Sequence, residues 1–358
     1  MNFDYNEEQQ LLADSVRRYL QKDYDFEARK KIVASNEGWS AAVWAQFAEM
    51  GLMGLPLPAD YGGFGGGAVD LMGVMEAFGD ALVVEPYLPT VMAARLLGKH
   101  PILSSVAEGK TRLALAHTEA GARHRPGHVN VVARKTGNGW TIDGEKKAVA
   151  GAPIADMLVV SAKGPDGVAL FLVESPSAEV KINAFRALDE TRSADIVFKG
   201  AKAEKIDGGL AQIEDAIDFG TALVCAEAVG AMKFACDTTL EYLKTRKQFG
   251  VPIGTFQALQ HRMVDMFIAY EQAKSMACLA CSKVDASANA TERARSVSAA
   301  KIKISDNARH VSQEAVQLHG GMGMSEEMKV SHTFRRLTVI AEQFGGADYH
   351  LERFAGLQ

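Results

Sequence analysis

The sequence lacks any block of like charge: 39 lysines and arginines are interspersed with 44 aspartates and glutamates along 358 residues, giving a formal net charge of −5. With no basic stripe to track a phosphate backbone, nucleic acid is not an expected partner. No run of about 18 uninterrupted apolar residues occurs either, so no membrane-spanning helix is expected. Residues 1–10 are acidic and polar where a secretory signal needs a basic start and an apolar run, and the reading is of a cytoplasmic protein. Cysteine is scarce. Cys225, Cys236, Cys278 and Cys281 lie in segments that read as helix, where a thiol in a reducing compartment packs as a small apolar side chain. Cys278 and Cys281 form a CxxC, but no second ligand pair or preceding strand accompanies it, which favours packing over metal or redox chemistry. A chain that is 47% hydrophobic and 23% charged folds in water, and at this length it divides into two or three cores.

The pattern along the chain changes period twice. Asn6 followed by Gln9 has the spacing of a capping box, and Leu12, Val16 and Leu20 then share one helical face. A second helix is expected over about 40–50, and helical pattern resumes over 69–97. Between these lies a breaker-rich loop with Pro56, Pro58, Gly62, Gly63, Gly65, Gly66 and Gly67. Its glycines miss the GxGxxG spacing and follow no strand, so it reads as a crossover rather than a phosphate cradle. Over 112–208 the alternation is that of strands, with candidates at 129–134, 140–143, 158–161, 168–173 and 194–198, and with turn chemistry at 135–139 and 164–167. From 210 onward helices return, over about 213–247, 256–284 and 291–318. The first carries the small residues Ala222, Ala226, Ala228, Gly230, Ala231 and Ala235, which suit close helix packing. The expected architecture is α+β: an N-terminal helical domain (1–111), a middle antiparallel, β-barrel-like domain (112–208) and a C-terminal four-helix bundle (209–358).

Two motifs make this order specific. Arg246-Lys-Gln-Phe-Gly-Val-Pro-Ile-Gly-Thr-Phe-Gln-Ala-Leu-Gln-His261, followed by Met263, Asp265 and Met266, resembles the first signature of acyl-CoA dehydrogenases; Gln317-Leu-His-Gly-Gly-Met-Gly323 resembles the second. With Thr118-Glu119 and Gly144-Glu-Lys146, the resemblance covers nearly the whole chain, and the wording is most similar to small subunits of pimeloyl-CoA dehydrogenase type. The resemblance implies an oxidoreductase that uses FAD to introduce an α,β double bond into an acyl-CoA, with electron-transfer flavoprotein as acceptor. It also implies residue roles. Arg246 would pair with the FAD pyrophosphate of a neighbouring subunit; Gln248, Phe249, Ile253, Phe256 and Gln257 would line the adenosine arm; Gln317, Gly320 and Gly321 would close the pocket; and Thr118 belongs to the cofactor-binding set. On plain structural grounds Arg246 would be a solvated helix-end arginine and Gly320-Gly321 a helix stop.

Against that retained half stands a set of losses. The family's carboxylate base falls at Phe344 by one alignment and at Gly220 by the other, and neither side chain accepts a proton. An arginine near the thioester falls at Thr221, the tryptophan and hydroxyl residue that clamp the flavin ring fall at Ala148 and Ala150, and a Gly-Ser-Asp becomes Arg123-His124-Arg125. Asp218, Glu227, Glu342 and Asp348 are the carboxylates near enough in sequence to act as displaced bases. His124 and His128 lack a third metal ligand. The pattern implies a heteromer, α2β2, in which a related larger subunit supplies the base and the acyl-CoA pocket while this chain completes its FAD site. The other readings are a homotetrameric dehydrogenase with a relocated base and a flavin-free structural subunit.

Overall fold

The structure, a computed structural model, describes residues 5–137, 139–287 and 289–357. Helices α1 (Glu7–Asp23), α2 (Phe26–Ala34), α3 (Ala41–Glu49), α4 (Ala68–Ala81), α5 (Tyr87–Arg95) and α6 (Ile102–Ala107) come first. Strands β1 (Leu113–Ala116), β2 (Val132–Thr136), β3 (Gly139–Ala150), β4 (Met157–Gly164), β5 (Gly167–Glu174), β6 (Val180–Arg186) and β7 (Arg192–Ile206) follow. After them come α7 (Leu210–Thr245), a small hairpin of β8 (Lys247–Gln248) and β9 (Val251–Pro252), then α8 (Gln257–Ala286), α9 (Ala290–His319), α10 (Lys329–Glu342) and α11 (Ala347–Gly356). This is the α+β order expected. The chain forms two compact units, one of residues 5–30, 67–83 and 221–357, the other of residues 31–66 and 84–220, with the boundary falling inside α7.

In the second unit the sheet closes on itself. Pairing runs β4–β2–β3–β7–β5 and returns from β5 to β4, so interior residues such as Ile142, Leu158, Val160, Phe171, Ile196 and Phe198 are sealed into one core. The pairs are antiparallel except β1 with β4 and the single β2–β4 contact at Val132 and Lys163, so the sheet is mixed where an antiparallel one was expected. Leu170 and Leu172 point the other way, into a second cluster with Ala93, Leu97 and Leu103. This explains why 168–173 reads as a continuous apolar run: both faces of β5 are covered. The four-residue β1 and the polar β6 escape the alternation pattern. Of the turn expected at 135–139, Asn138 lies outside the described residues, as do residues 1–4 of the N-terminal stretch.

The helical stretch expected over 69–97 is instead two helices, because Leu82 takes a left-handed φ of 58° after α4 and Pro86, with no N–H, precedes α5. The glycine-rich loop turns its amides inward: Gly63, Phe64, Gly65 and Gly66 donate to the carbonyls of Pro58, Gly54, Leu57 and Leu55. The capping box at Asn6 and Gln9 is formed, with both hydrogen bonds under 3 Å. In the first unit the small-residue stripe does the work of close packing. A Cβ on Gly79 of α4 would stand 1.8 Å from the Glu227 carbonyl oxygen, and one on Gly230 of α7 would stand 1.8 Å from that of Glu76. The two backbones therefore touch through reciprocal glycines. Although α7 is long and apolar enough to cross a membrane, 89% of its apolar window is buried within the fold, which marks a core helix.

Candidate cofactor site

The first signature begins where α7 ends. The backbone turns at Phe249 (φ 56°) and Gly250 (φ 81°), the two positive values that a two-residue hairpin requires, and Lys247–Gln248 pairs with Val251–Pro252. The Ile253 N–H donates to the Arg246 carbonyl at 2.8 Å, closing the loop. Gly254 seats it against α7, with room for no Cβ beside the Leu243 carbonyl. Phe249 stands at the tip, 92% exposed and edge-on to Phe256 at 6.1 Å. A phenylalanine held at positive φ and pointed into solvent costs conformational strain and apolar exposure together, so this chain's own stability does not explain it. The hairpin escaped the sequence reading because its strands are two residues long; Phe-Gly at its tip is the one local signal.

Both signatures present exposed polar and apolar groups. Arg246, Gln248, Gln257 and Gln317 are exposed, and among the described residues the guanidinium of Arg246 has neither an ion pair nor a hydrogen bond. Ile253 is half-buried. Gly320 ends α9 at φ 62°, so the plain helix-stop reading holds for it. Gly321 is different: its φ is unexceptional and a Cβ there would meet nothing within 4 Å, so nothing in this chain's own packing demands a glycine. An unpaired cation, exposed glutamine side chains, of which the Gln248 amide donates to the Lys247 carbonyl at 2.8 Å, exposed aromatic and aliphatic faces and an open glycine backbone are groups of the kind that the pyrophosphate and adenosine of FAD require, and the residues fit that group. Val264, Phe267 and Ile268 on the first turns of α8, with Met322 and Met324 after α9, continue the exposed apolar surface.

Thr118 lies in the other unit, exposed, its carbonyl accepting from the Lys147 N–H at 2.8 Å. The neighbouring motif residues are structural. Glu119 and Lys146 form a fully buried ion pair at 2.7 Å. The Lys146 ammonium also donates to the His117 carbonyl and the Ser161 hydroxyl, while Glu119 accepts from the Asn130 and Val131 amides. Burial pushes Lys146 down to about 8, opposed by its bond to Glu119; burial also raises the Glu119 carboxyl, but Lys146 and the two amides outweigh it and hold it low. Burial first, then the Lys146 charge, holds His117 down to about 4. Its ring therefore stays neutral at pH 7, with Nδ1 2.8 Å from the Ser161 hydroxyl. A basic group with a depressed folded pKa takes up a proton on unfolding, so its contribution is full above about pH 6.5 and falls as pH drops toward 4. Stability to denaturant should fall by up to about 3 kcal/mol over that window, and His117→Gln should flatten the fall; an unchanged slope would remove His117 as its source.

Of the four candidate bases, two are buried and two lie on the surface. Glu227 is buried and bound side-on by Arg336, with Nε to Oε1 at 2.6 Å and Nη2 to Oε2 at 2.7 Å, an arrangement that locks the carboxylate into the core. Asp218 is wholly buried. Glu342 is exposed, 3.7 Å from Arg309, and Asp348 opens α11 on the surface. At Gly220 a Cβ would stand 2.3 Å from the Met92 sulfur, so a larger residue there requires Met92 to move. Phe344 sits at φ 61° in a loop held by its backbone. His350 Nε2 donates to the Phe344 carbonyl, and the buried Lys301 ammonium donates to those of Ile340, Ala341 and Gly345. The loop is rigid; its side chain is a phenyl ring. Ala150 is exposed on β3, Ala148 (φ 50°) bulges beside it, and Thr221 is buried in α7. His124 and His128 belong to an exposed loop, His128 bonding Asn130. Cys278 and Cys281 are free and buried, and burial raises both thiols, as packing cysteines require.

Helices, a closed sheet and a second set of helices, in that order, are the architecture of a flavoprotein dehydrogenase class. Patterns of the acyl-CoA dehydrogenase N-terminal, middle and C-terminal domains match residues 6–105, 114–201 and 207–355. The chain belongs to the acyl-CoA dehydrogenase family. It is 30% identical to the acyl-CoA dehydrogenase IpdE2 of Mycolicibacterium smegmatis, over 97% of this chain and 98% of that one. Among solved structures, the ChsE4-ChsE5 complex from Mycobacterium tuberculosis superposes with a TM-score of 0.91 at 25% identity, covering 99% of this chain and 98% of that one. PigA with FAD and proline superposes with a TM-score of 0.90 at 26% identity, with the same coverage.

Proposed function

We propose that this chain is the subunit of an FAD-dependent acyl-CoA dehydrogenase that completes a partner's FAD site, working beside a related larger subunit in an α2β2 assembly that passes electrons to an electron-transfer flavoprotein. The observation that carries this reading is a contrast: Arg246 is exposed and unpaired in the first signature and Gly321 is open in the second, while the two positions of the family's base are a glycine packed against Met92 and a phenylalanine. The likeness to an FAD-bound structure and to a complex of two different chains supports the cofactor and the heteromer.

When bound, FAD accepts the hydride that leaves the acyl β carbon. Arg246 offers the pyrophosphate a fixed positive charge and forked donors. Gln248, Gln257 and Gln317 supply hydrogen bonds to the adenosine arm, and Phe249, Ile253 and Phe256 exclude water from it. Gly320 and Gly321 admit the cofactor close to the backbone. The α-proton goes to a carboxylate of the larger subunit, because this chain presents none at either position.

Co-purification with the partner and a flavin-to-chain ratio from absorbance test the reading, with one FAD per pair of unlike chains as the expected result. Arg246→Ala should weaken FAD retention roughly 10- to 100-fold, the worth of a charge-assisted contact. Full flavin content in that variant, or one FAD per monomer in the chain alone, would remove the proposal.

A further inference from the structure

We infer that Tyr242 and His319 act as a positioning pair that sets Arg246 against the Gln317 to Gly321 segment; the inference rests on the FAD site proposed above. Tyr242 lies one turn before Arg246, whose N–H donates to its carbonyl at 2.8 Å. His319 lies inside the second signature, between Gln317 and Gly320, as the last residue of α9. The two rings stack, centroids 4.4 Å apart and planes 29° from parallel, and so join the end of α7 to the end of α9. These are the two helix ends from which the signatures depart.

The surroundings of His319 make it a holder rather than a ligand-binding group. Its Nδ1–H donates to the Ala315 carbonyl at 2.8 Å, which fixes the tautomer and the ring plane. Its Nε2 is sealed in the interior with no partner, so no ligand reaches it. An unpaired buried acceptor lowers stability, and the ring is retained for the face it offers Tyr242. Both signature backbones rest on the neighbours of this pair. Gly254 sits on the Leu243 carbonyl, next to Tyr242, and Gly323 sits on the His319 Cβ and the Val316 carbonyl. A tilt of either ring would therefore move Arg246 relative to Gly321, and a displacement of about 1 Å is enough to cost a positioned contact its affinity.

The test uses the complex of this chain with its partner, measuring the FAD dissociation constant by flavin fluorescence and the melting temperature without FAD. His319→Ala and Tyr242→Leu should each weaken FAD about tenfold. The double variant should be no weaker than either single, because the two residues act as one unit. His319→Phe, which restores the ring without the tether, should recover affinity to within about threefold. Melting temperatures that fall while FAD affinity holds, or losses that add, overturn the positioning role. If Arg246→Ala weakens FAD while His319→Ala does not, this inference alone fails; if Arg246→Ala also has no effect, the proposed site fails and takes the inference with it.

Discussion

If the chain works as the proposed subunit, then purified alone it is expected to oxidise no acyl-CoA with saturable kinetics, and to run at least roughly 10²- to 10⁴-fold below the complex proposed above, the range that a positioned proton acceptor supplies. The expectation follows from where carboxylates are and are not. Gly220 cannot be exchanged for a longer side chain without displacing Met92, and Phe344 presents a ring on a loop that Lys301 and His350 hold by its carbonyl groups. Glu227 would have to leave its two hydrogen bonds from Arg336 before it could accept a proton. Glu227→Gln should therefore leave turnover of the complex within a few fold of wild type. A homotetrameric enzyme with a relocated base predicts the opposite, and abolished flavin reduction in Glu227→Gln or Asp218→Asn would favour it. Stopped-flow reduction of the complex and of the chain alone distinguishes the two.

The second large effect concerns stability. Arg336→Met should destabilise the unit that holds α7 and α10 by about 3–5 kcal/mol, because it leaves the Glu227 carboxylate buried and unpaired. That corresponds to a fall of about 10 °C in melting temperature for a unit of this size. The pair lies next to a close backbone contact: the carbonyl of Glu227 is the atom against which Gly79 is pressed. Relaxation that would soften the loss is thus blocked by the backbone contact between α4 and α7. Replacing both partners by apolar residues of similar volume should restore much of the stability. A single variant with an unchanged denaturation midpoint would show that the pair contributes nothing.

The sequence carried the fold well where its signals were local and repeated. The small-residue stripe of α7, the capping box at Asn6 and the long helices of the C-terminal half follow from side-chain periodicity and cap chemistry, which act within a few residues. Beyond that range, sequence alone fell short. The break between α4 and α5 turns on one left-handed residue, Leu82; the β1–β4 pairing is parallel and joins segments more than 40 residues apart. The hairpin at Phe249 is too short to leave a pattern. Among candidate site residues, motif spacing marked Arg246, Gln317 and the glycines, and it marked the missing base. It gave Glu119 and Lys146 only as part of a resemblance, and it left Glu227 as a free carboxylate.

Composition and order of residues by themselves determined the helix–sheet–helix plan and the apolar faces, since these depend on which side chains exist and at what period. Only the tertiary structure decided which charges are spent inside the fold and which remain for a ligand. Glu227 and Arg336 are separated by 109 positions, Glu119 and Lys146 by 27, and an ion pair forms wherever folding brings opposite charges into a dry interior. Arg246 is left unpaired at the surface for the converse reason: where α7 ends, among the described residues, no carboxylate stands against it.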